Sequence, residues 1–141
     1  MLRLSKRTEH GLRAAVQLAR LASDTYVQSR DLAAAEDLPT KFLESILLLL
    51  RRGGVLESKV GSGGGYKLTR PANDIRVGEL IRLLENQEDA APANAPTSVG
   101  GRAVALLHQK LDDAAGDALD AMTLADLVQE ASVTGEAMWF I

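Results

Sequence analysis

Residues 38–71 decide the fold and read LPTKFLESILLLLRRGGVLESKVGSGGGYKLTRP. In the first half, Pro39 stands before apolar residues at helical spacing, which predicts a helix with the proline in its first turn. The stripe consists of Leu43, Ile46, Leu47 and Leu50. Gly53 and Gly54 predict the end of that helix, because glycine readily adopts the positive φ of a C-terminal cap. Beyond them the apolar period changes to alternation, so the second half predicts two short strands around the turn GSGGG at 61–65.

Two amphipathic segments precede this stretch. Thr8–Ala22 carries apolar residues in the i, i+3, i+4, i+7 pattern of a helix that packs by one face. Ser29 predicts the N-cap of a short second helix that ends near Asp37, since a serine hydroxyl can accept a hydrogen bond from a free backbone N–H. Three helices followed by a hairpin are the order of a winged helix-turn-helix, whose third helix enters the major groove of DNA. The predicted fold class is mainly α, with a β-hairpin wing.

The rest of the chain is predicted to be helical with one interruption. Val77–Leu84 carries a fourth helical stripe, and Arg102–Ala118 carries a longer one. Between them, residues 87–101 lack periodicity and hold two prolines and two glycines, which is typical of a loop. The chain is therefore predicted to divide into a winged-helix domain at 1–86, a loop or linker at 87–101, and a dimerisation helix with a C-terminal tail at 102–141.

The long helix carries an apolar stripe that is wider than a small helical domain requires on one side. Its members are Val104, Leu107, Leu111 and Ala114. After this helix, Thr123 and Asp126 predict a capping box for a last short helix through Val128. Trp139 and Phe140 close to the C-terminus also need a covering surface. We therefore expect a homodimer that is built mainly from this part of the chain.

Charge is divided unevenly along the chain. The 141 residues carry a net charge of −3 and are 46% hydrophobic, which suits one globular domain. Residues 1–86 hold 14 basic against 10 acidic side chains, whereas residues 87–141 hold 2 against 9. A basic front half favours a polyanionic partner such as nucleic acid, and phosphates repel an acidic rear half.

The chain contains no cysteine, which excludes disulfides, Cys-ligated metals and thiol nucleophiles. His10 and His108 lie far apart with no carboxylate at metal-ligand spacing, so we expect no metal site and no cofactor. The longest apolar run, Ile46–Leu50, is far shorter than the ~20 residues of a membrane helix. The N-terminal residues lack the apolar core of a signal peptide, so we expect a cytoplasmic protein without a membrane span.

Two sets of residues are candidates for binding double-stranded DNA. Thr40, Lys41 and Glu44 lie in the first turns of the predicted third helix, where a helix-turn-helix presents side chains to base edges. Lys41 can donate to guanine, and Glu44 can accept from the amino group of cytosine. The second set is predicted to approach the DNA backbone, through basic charge or from the turn of the wing. Its members are Lys6, Arg7, Arg13, Arg51, Arg52, Lys59, Ser62, Gly63, Gly64, Lys67 and Arg70.

Two other functions are alternatives to DNA binding. An enzyme that cradles phosphate in GSGGGY would need a following helix N-terminus, but Tyr66–Pro71 alternates like a strand. We therefore expect a hairpin turn and no enzyme activity. A winged helix that binds protein instead of DNA stays open, because Leu48 and Leu49 would be exposed apolar residues on the third helix. The +4 charge of the front half favours DNA over this alternative.

Three segments together carry a family resemblance. They are LSKRTEHGLRA at 4–14, LPTKFLESILLLLRRGGVL at 38–56 and GSGGGYKLTRP at 61–71. In this order and spacing, they resemble the Rrf-two family of bacterial transcription regulators, the IscR/NsrR/CymR type. The resemblance covers residues 2–86 and continues beyond them only as a pattern of loop and helix. It implies a homodimeric DNA-binding repressor whose long C-terminal helix pairs with its twofold mate and whose effector acts from the loop.

The sequence departs from the family pattern at two places. The cluster-binding branch has three cysteines in the loop, and the corresponding stretch here, roughly Ala93–Arg102, has none. An iron–sulfur sensor is therefore not expected, and Glu9 has no thiolates beside it with which to share a cluster. In the wing, Val60 stands where many relatives have arginine, which leaves Lys59 or Lys67 to supply charge at the groove. The effector could be a metabolite, a partner protein or a metal.

Overall fold

The computed structural model describes residues 4–21, 24–85 and 97–138, with side chains as far as residue 133. The elements in these ranges are α1 (Lys6–Leu21), α2 (Ser29–Glu36), α3 (Thr40–Arg52), β1 (Leu56–Lys59), β2 (Gly65–Leu68), a 3₁₀ turn (Ala72–Asp74), α4 (Val77–Glu85), α5 (Val99–Asp120) and α6 (Leu124–Met138). Three helices and a hairpin followed by a long helix confirm the predicted winged helix-turn-helix. None of the helices in the described ranges is both long and apolar enough to cross a membrane.

The hydrophobic core lies among the first four helices. α3 contributes the stripe predicted from its sequence, and all four of its members are fully buried: Leu43, Ile46, Leu47 and Leu50. Small residues of α1 let the neighbouring helices approach closely, since a Cβ added at Gly11 would lie 2.7 Å from the Leu84 methyls. Each buried leucine stabilises the fold by roughly 1.5–3 kcal/mol. The buried face of α3 is thus fixed, and its opposite face is directed to solvent.

The wing is an antiparallel hairpin in which Leu56 pairs with Leu68 and Lys59 pairs with Gly65. Val27, in the connection between α1 and α2, extends this sheet by an isolated bridge to Tyr66. The Val27 N–H donates to the Tyr66 carbonyl and the Tyr66 N–H donates to the Val27 carbonyl, each at 2.8 Å. The wing is therefore attached to the helical body along one edge as well as at its base.

The attachment of the wing to Val27 requires a glycine at position 65. Its φ is +133°, and an added Cβ would lie 2.4 Å from the backbone carbonyl of Val27. Gly65→Ala is expected to lower the free energy of unfolding by at least about 1–3 kcal/mol from backbone strain alone, with a further loss from the clash. Gly61→Ala is the matched control, because Gly61 has a φ of +96° but no described residue beyond its chain neighbours lies within 4 Å of an added Cβ. Urea unfolding should show the larger loss for Gly65→Ala, and equal losses would contradict the assigned contact.

The start of α6 returns the chain to the core. The Thr123 N–H donates to an Asp126 carboxylate oxygen and the Asp126 N–H donates to the Thr123 hydroxyl, both at 3.0 Å. These two hydrogen bonds confirm the predicted capping box. They also lower the pKa of Asp126. The adjacent Leu124 is fully buried, and its N–H donates to the Ile75 carbonyl.

An ion pair joins α4 to the C-terminal end of α5. Two Arg82 nitrogens donate to the two carboxylate oxygens of Asp120, at 2.9 and 2.6 Å. This hydrogen bonding from Arg82 lowers the pKa of the Asp120 carboxyl. Gly78 leaves room for the pair, since a Cβ there would lie 2.0 Å from an Asp120 oxygen. The C-terminal end of α5 is therefore held against the winged-helix domain.

Two predicted helix starts are wrong. Ser29 is the first residue of α2, whose N-cap is Gln28 without a side-chain hydrogen bond. The Ser29 hydroxyl instead donates to the Glu44 carboxylate, a tertiary contact that local sequence does not reveal. Pro39 is the N-cap of α3 and precedes its first turn.

Three further helix boundaries differ from the prediction. Only Gly54, with a φ of +82°, adopts the left-handed conformation, while Gly53 keeps a helical φ of −79°. α5 begins at Val99, three residues before the predicted start at Arg102. Ser98 is its N-cap, and the Ser98 hydroxyl accepts a hydrogen bond from the Gly101 N–H. α6 continues to Met138 and does not end at Val128. Residues 86–96, Trp139 and Phe140 lie outside the described ranges.

Candidate nucleic-acid interface

The outer face of α3 presents polar side chains to solvent. Lys41, Glu44 and Ser45 are exposed, and Thr40 is half-buried. Because the opposite face of the helix is the buried core stripe, these side chains can reach a neighbouring molecule without any change of fold. The first two turns of α3 therefore have the arrangement expected of a helix that reads base edges.

Among the described residues, the Glu44 side chain has one hydrogen-bond partner. The Ser29 hydroxyl at the start of α2 donates to the Glu44 carboxylate at 3.1 Å. A carboxylate has two oxygens and about four acceptor positions, so one such contact leaves most of its capacity free. Ser29 was not predicted as a site residue, and its position before an acidic helix turn gives no signal for this contact.

Free basic side chains lie at both ends of α3 and on the wing. Within the described ranges, no hydrogen bond or ion pair engages the exposed side chains of Lys41, Arg51 and Arg52. Lys59 is exposed at the end of β1. Lys6 is exposed as well and lies 3.5 Å from Glu9 in a surface pair, which contributes little in water.

Three arginines that were predicted to contact phosphate are bonded to other groups of the chain. The Arg7 guanidinium donates to the Leu84 carbonyl at 2.9 Å, at the C-terminal end of α4. Arg13 is paired with Glu36, at 2.8 Å. Arg70 donates to both Glu79 carboxylate oxygens, at 2.5 and 2.6 Å, and so ties the base of the wing to α4. A phosphate contact by any of these arginines would compete with the internal bonds.

The tip of the wing is open to solvent. Val60, Ser62 and Gly63 are exposed, and Val60 is 95% exposed. Gly64 is buried beneath them, where its N–H donates to the Gly61 carbonyl at 2.9 Å. A Cβ on Gly64 would lie 2.2 Å from the Lys59 carbonyl, so this residue closes the turn and does not face a ligand.

Sequence reasoning missed two aromatic residues near this surface. Tyr26 lies beside the wing lysines, with the Lys67 nitrogen 4.8 Å from its ring centre. The sequence signal that could have placed Tyr26 beside the wing is the pair Tyr26–Val27, two residues of high β propensity between two helices. Phe42 is 41% exposed on α3 and meets the His10 ring edge to face at 5.3 Å. Leu48 and Leu49 are half-buried and not exposed as predicted, which removes the observation that favoured a protein-binding winged helix.

The long helix α5 has no buried side chain within the single chain. Its predicted stripe is open to solvent: Val104 is 55% exposed, Leu107 61% and Leu111 45%, and Ala114 is exposed too. Leu106 adds a further exposed leucine on the adjoining face. An exposed apolar stripe of this length needs a covering partner.

Residues 4–130 match the Rrf2 (Rrf-two) family, described as "Iron-dependent Transcriptional regulator". The chain belongs to the Rrf2 family. This membership confirms the predicted resemblance, and it makes the protein a DNA-binding transcriptional regulator of the helix-turn-helix type and not an enzyme.

Individual Rrf2 relatives agree with this membership. The Mycobacterium tuberculosis protein Rv1287, whose name is that of an HTH-type transcriptional regulator, is 35% identical over 130 residues, covering 89% of this chain and 81% of its own. The structure of T. potens IscR is similar with a TM-score of 0.75 and 29% identity, covering 92% of this chain and 88% of that one. CymR, described as the global cysteine regulator of B. subtilis, gives a TM-score of 0.74 at 28% identity over 92% of this chain and 98% of its own.

The iron in the Rrf2 family description does not fit the donor atoms of this chain. An iron–sulfur cluster is held mostly by cysteine thiolates, and the sequence has none. Among the residues that the structure describes, no three His, Asp or Glu side chains are grouped to hold a metal ion. Glu9 faces Lys6, and the buried His10 Nδ1 has no hydrogen-bond partner in the part of the chain that the structure describes.

Proposed function

We propose that this regulator is a homodimeric repressor that reads a pseudo-palindromic operator with α3 and needs no iron–sulfur cluster. The outer face of α3 carries this proposal. Lys41 and Glu44 stand side by side there in the first two turns, both exposed, on a helix whose other face is anchored in the core. A donor and an acceptor so placed can distinguish base pairs in the major groove.

Base reading and backbone contact are assigned to different residues. Thr40, Lys41 and Glu44 contact base edges, which specify sequence. Basic side chains that are exposed at the surface contact phosphates, which position the protein without specifying sequence. These are Lys6, Arg51, Arg52 and Lys59, joined at the tip of the wing by Ser62 and Gly63.

The exposed stripe of α5 supports a homodimer. Two copies related by a twofold axis can cover Leu107 and Leu111 of one chain with the same residues of the other, which is the commonest symmetry of soluble oligomers. Two α3 helices related by that axis would meet half-sites about one helical turn apart, so the operator is expected to be a pseudo-palindrome. We further propose that one such operator lies in the promoter of the protein's own gene. Footprinting on that promoter should show two adjacent protected half-sites, and a promoter left unprotected would contradict this placement of the operator.

Absence of thiolates leads to a prediction about iron. Protein purified without oxygen is expected to be colourless, and its affinity for DNA should be the same in air, under nitrogen and after treatment with a chelator. Visible absorption, iron and sulfide analysis, and a gel shift under the three conditions check this directly. Stoichiometric iron with broad visible absorption would contradict it.

A further inference from the structure

The outward face of the wing carries a pair of lysines with unequal surroundings. In the register of the hairpin, Glu57 on β1 stands opposite Lys67 on β2, and Lys59 is the last residue of β1 next to the turn. Tyr26 reaches this face from the α1–α2 connection, which is fixed to β2 by the two hydrogen bonds between Val27 and Tyr66. The four polar side chains therefore share one surface.

Lys67 is held on that surface by three separate groups. Its ammonium lies 3.4 Å from the Glu57 carboxylate and 4.8 Å from the centre of the Tyr26 ring. It also donates to the Asp24 carbonyl at 3.5 Å. Only 27% of the Lys67 side chain is exposed. A lysine with a carboxylate and an aromatic face beside it has its charge compensated without DNA.

Glu57 is itself fixed in place. The Tyr26 hydroxyl donates at 3.1 Å to the same carboxylate oxygen that faces Lys67. This hydrogen bond restricts the rotamer of Glu57, so the carboxylate stays beside Lys67 instead of turning to solvent. Lys59, in contrast, is exposed, and the contact it makes among the described residues is a distant one, 6.0 Å from the centre of the Tyr26 ring.

We infer that Glu57 is a positioning residue that withholds Lys67 from DNA, so that Lys59 is the lysine through which the wing binds phosphate. Lys67 then braces the wing against the α1–α2 connection. This inference rests on the proposed interface, in which the wing lies along the DNA backbone. It reverses the role that the sequence alone suggested for Lys67.

The dependence of DNA affinity on salt tests the inference, because its slope counts the phosphate charges that a protein neutralises, at about 0.9 per contact. Affinity for a random-sequence duplex is measured between about 50 and 200 mM salt by fluorescence anisotropy. Lys59→Gln is expected to reduce the slope by about 1.8 for a dimer with two wings. Lys67→Gln is expected to leave the slope unchanged.

Glu57→Gln is the decisive variant, since it keeps the size of the side chain and removes only its charge. Freed from its carboxylate, Lys67 should reach phosphate, raising affinity at low salt and steepening the slope by about 1.8 per dimer. The double variant Glu57→Gln/Lys67→Gln should return to the wild-type slope, and Glu57→Asp, which keeps the charge, should stay close to it. Matching thermal unfolding curves would establish that the variants fold alike.

The failure of this inference is distinguishable from failure of the proposed function. A wild-type protein that binds no duplex would refute the DNA interface itself. A wild-type protein that binds, with Lys67→Gln lowering the slope as much as Lys59→Gln, would overturn the role of Glu57 alone. A steepening in Glu57→Gln that persists in the double variant would also overturn it, because the gained charge would not be that of Lys67.

Discussion

Replacing Leu107 by aspartate is expected to separate the two subunits and to weaken operator binding by about 100-fold or more. Leu107 is 61% exposed at the centre of the α5 stripe, with Val104 and Leu111 one turn away on either side. A carboxylate there would have to be desolvated against its own symmetry mate in the dimer. Each separated subunit would bind a single half-site and lose the effective concentration that linkage supplies, commonly worth about 10²–10⁴ in affinity.

Gln109→Asp is the matched control for this prediction. It adds the same charge to the same helix, but Gln109 lies about half a turn away from the stripe, on the opposite side of α5. Sedimentation at micromolar concentration should show a dimer for the wild type and for Gln109→Asp, and a monomer for Leu107→Asp. A wild-type monomer, or a Leu107→Asp variant that remains a dimer and binds normally, would contradict the proposed interface.

Replacing Glu44 by alanine is expected to reduce the discrimination between operator and random DNA by about 30-fold or more. A well-placed contact to a base edge is worth roughly 1–3 kcal/mol of discrimination, and a dimer makes it twice. The carboxylate repels phosphates, so its removal should leave binding to random DNA unchanged or slightly stronger. The loss should therefore fall on the operator alone.

Lys59→Ala serves as the comparison for Glu44→Ala. If Lys59 contacts only phosphates, its loss should weaken binding to operator and to random duplex by the same factor. Titrations of both duplexes with each variant give the two affinity ratios. The assignment of α3 to bases and the wing to backbone would be inverted if Lys59→Ala changed the ratio and Glu44→Ala did not.

Most of the fold could be predicted from local patterns. The α3 stripe, the change of period after Gly54 and the Thr123–Asp126 box are each set by residues within a few positions of one another. Ser29 was misassigned because its hydroxyl had two possible partners, a local backbone N–H and the distant Glu44 carboxylate. In the structure the hydroxyl donates to Glu44. The last helix was predicted too short because Ser132 and Val133 continue it without a clear apolar stripe.

The candidate site was less predictable, because its electrostatics depend on distant partners. Composition gives the number of basic side chains in residues 1–86, but it does not show which of them are paired within the fold. Arg7 is occupied by the carbonyl of a residue 77 positions away, and Arg70 by Glu79 on another helix. The pairing of Lys67 with Glu57 follows from the hairpin register, which the turn sequence alone did not fix.

The most direct test is selection of binding sites from a random duplex library, followed by measurement of how many chains bind each selected duplex. A homodimer that reads DNA with two α3 helices should enrich a twofold-symmetric motif with half-sites about one helical turn apart, bound by two chains. Substituting the base pairs opposite Glu44 in one half-site should weaken binding for the wild type but not for Glu44→Ala. No enrichment, or an asymmetric motif bound by a single chain, would contradict the proposed mode of recognition.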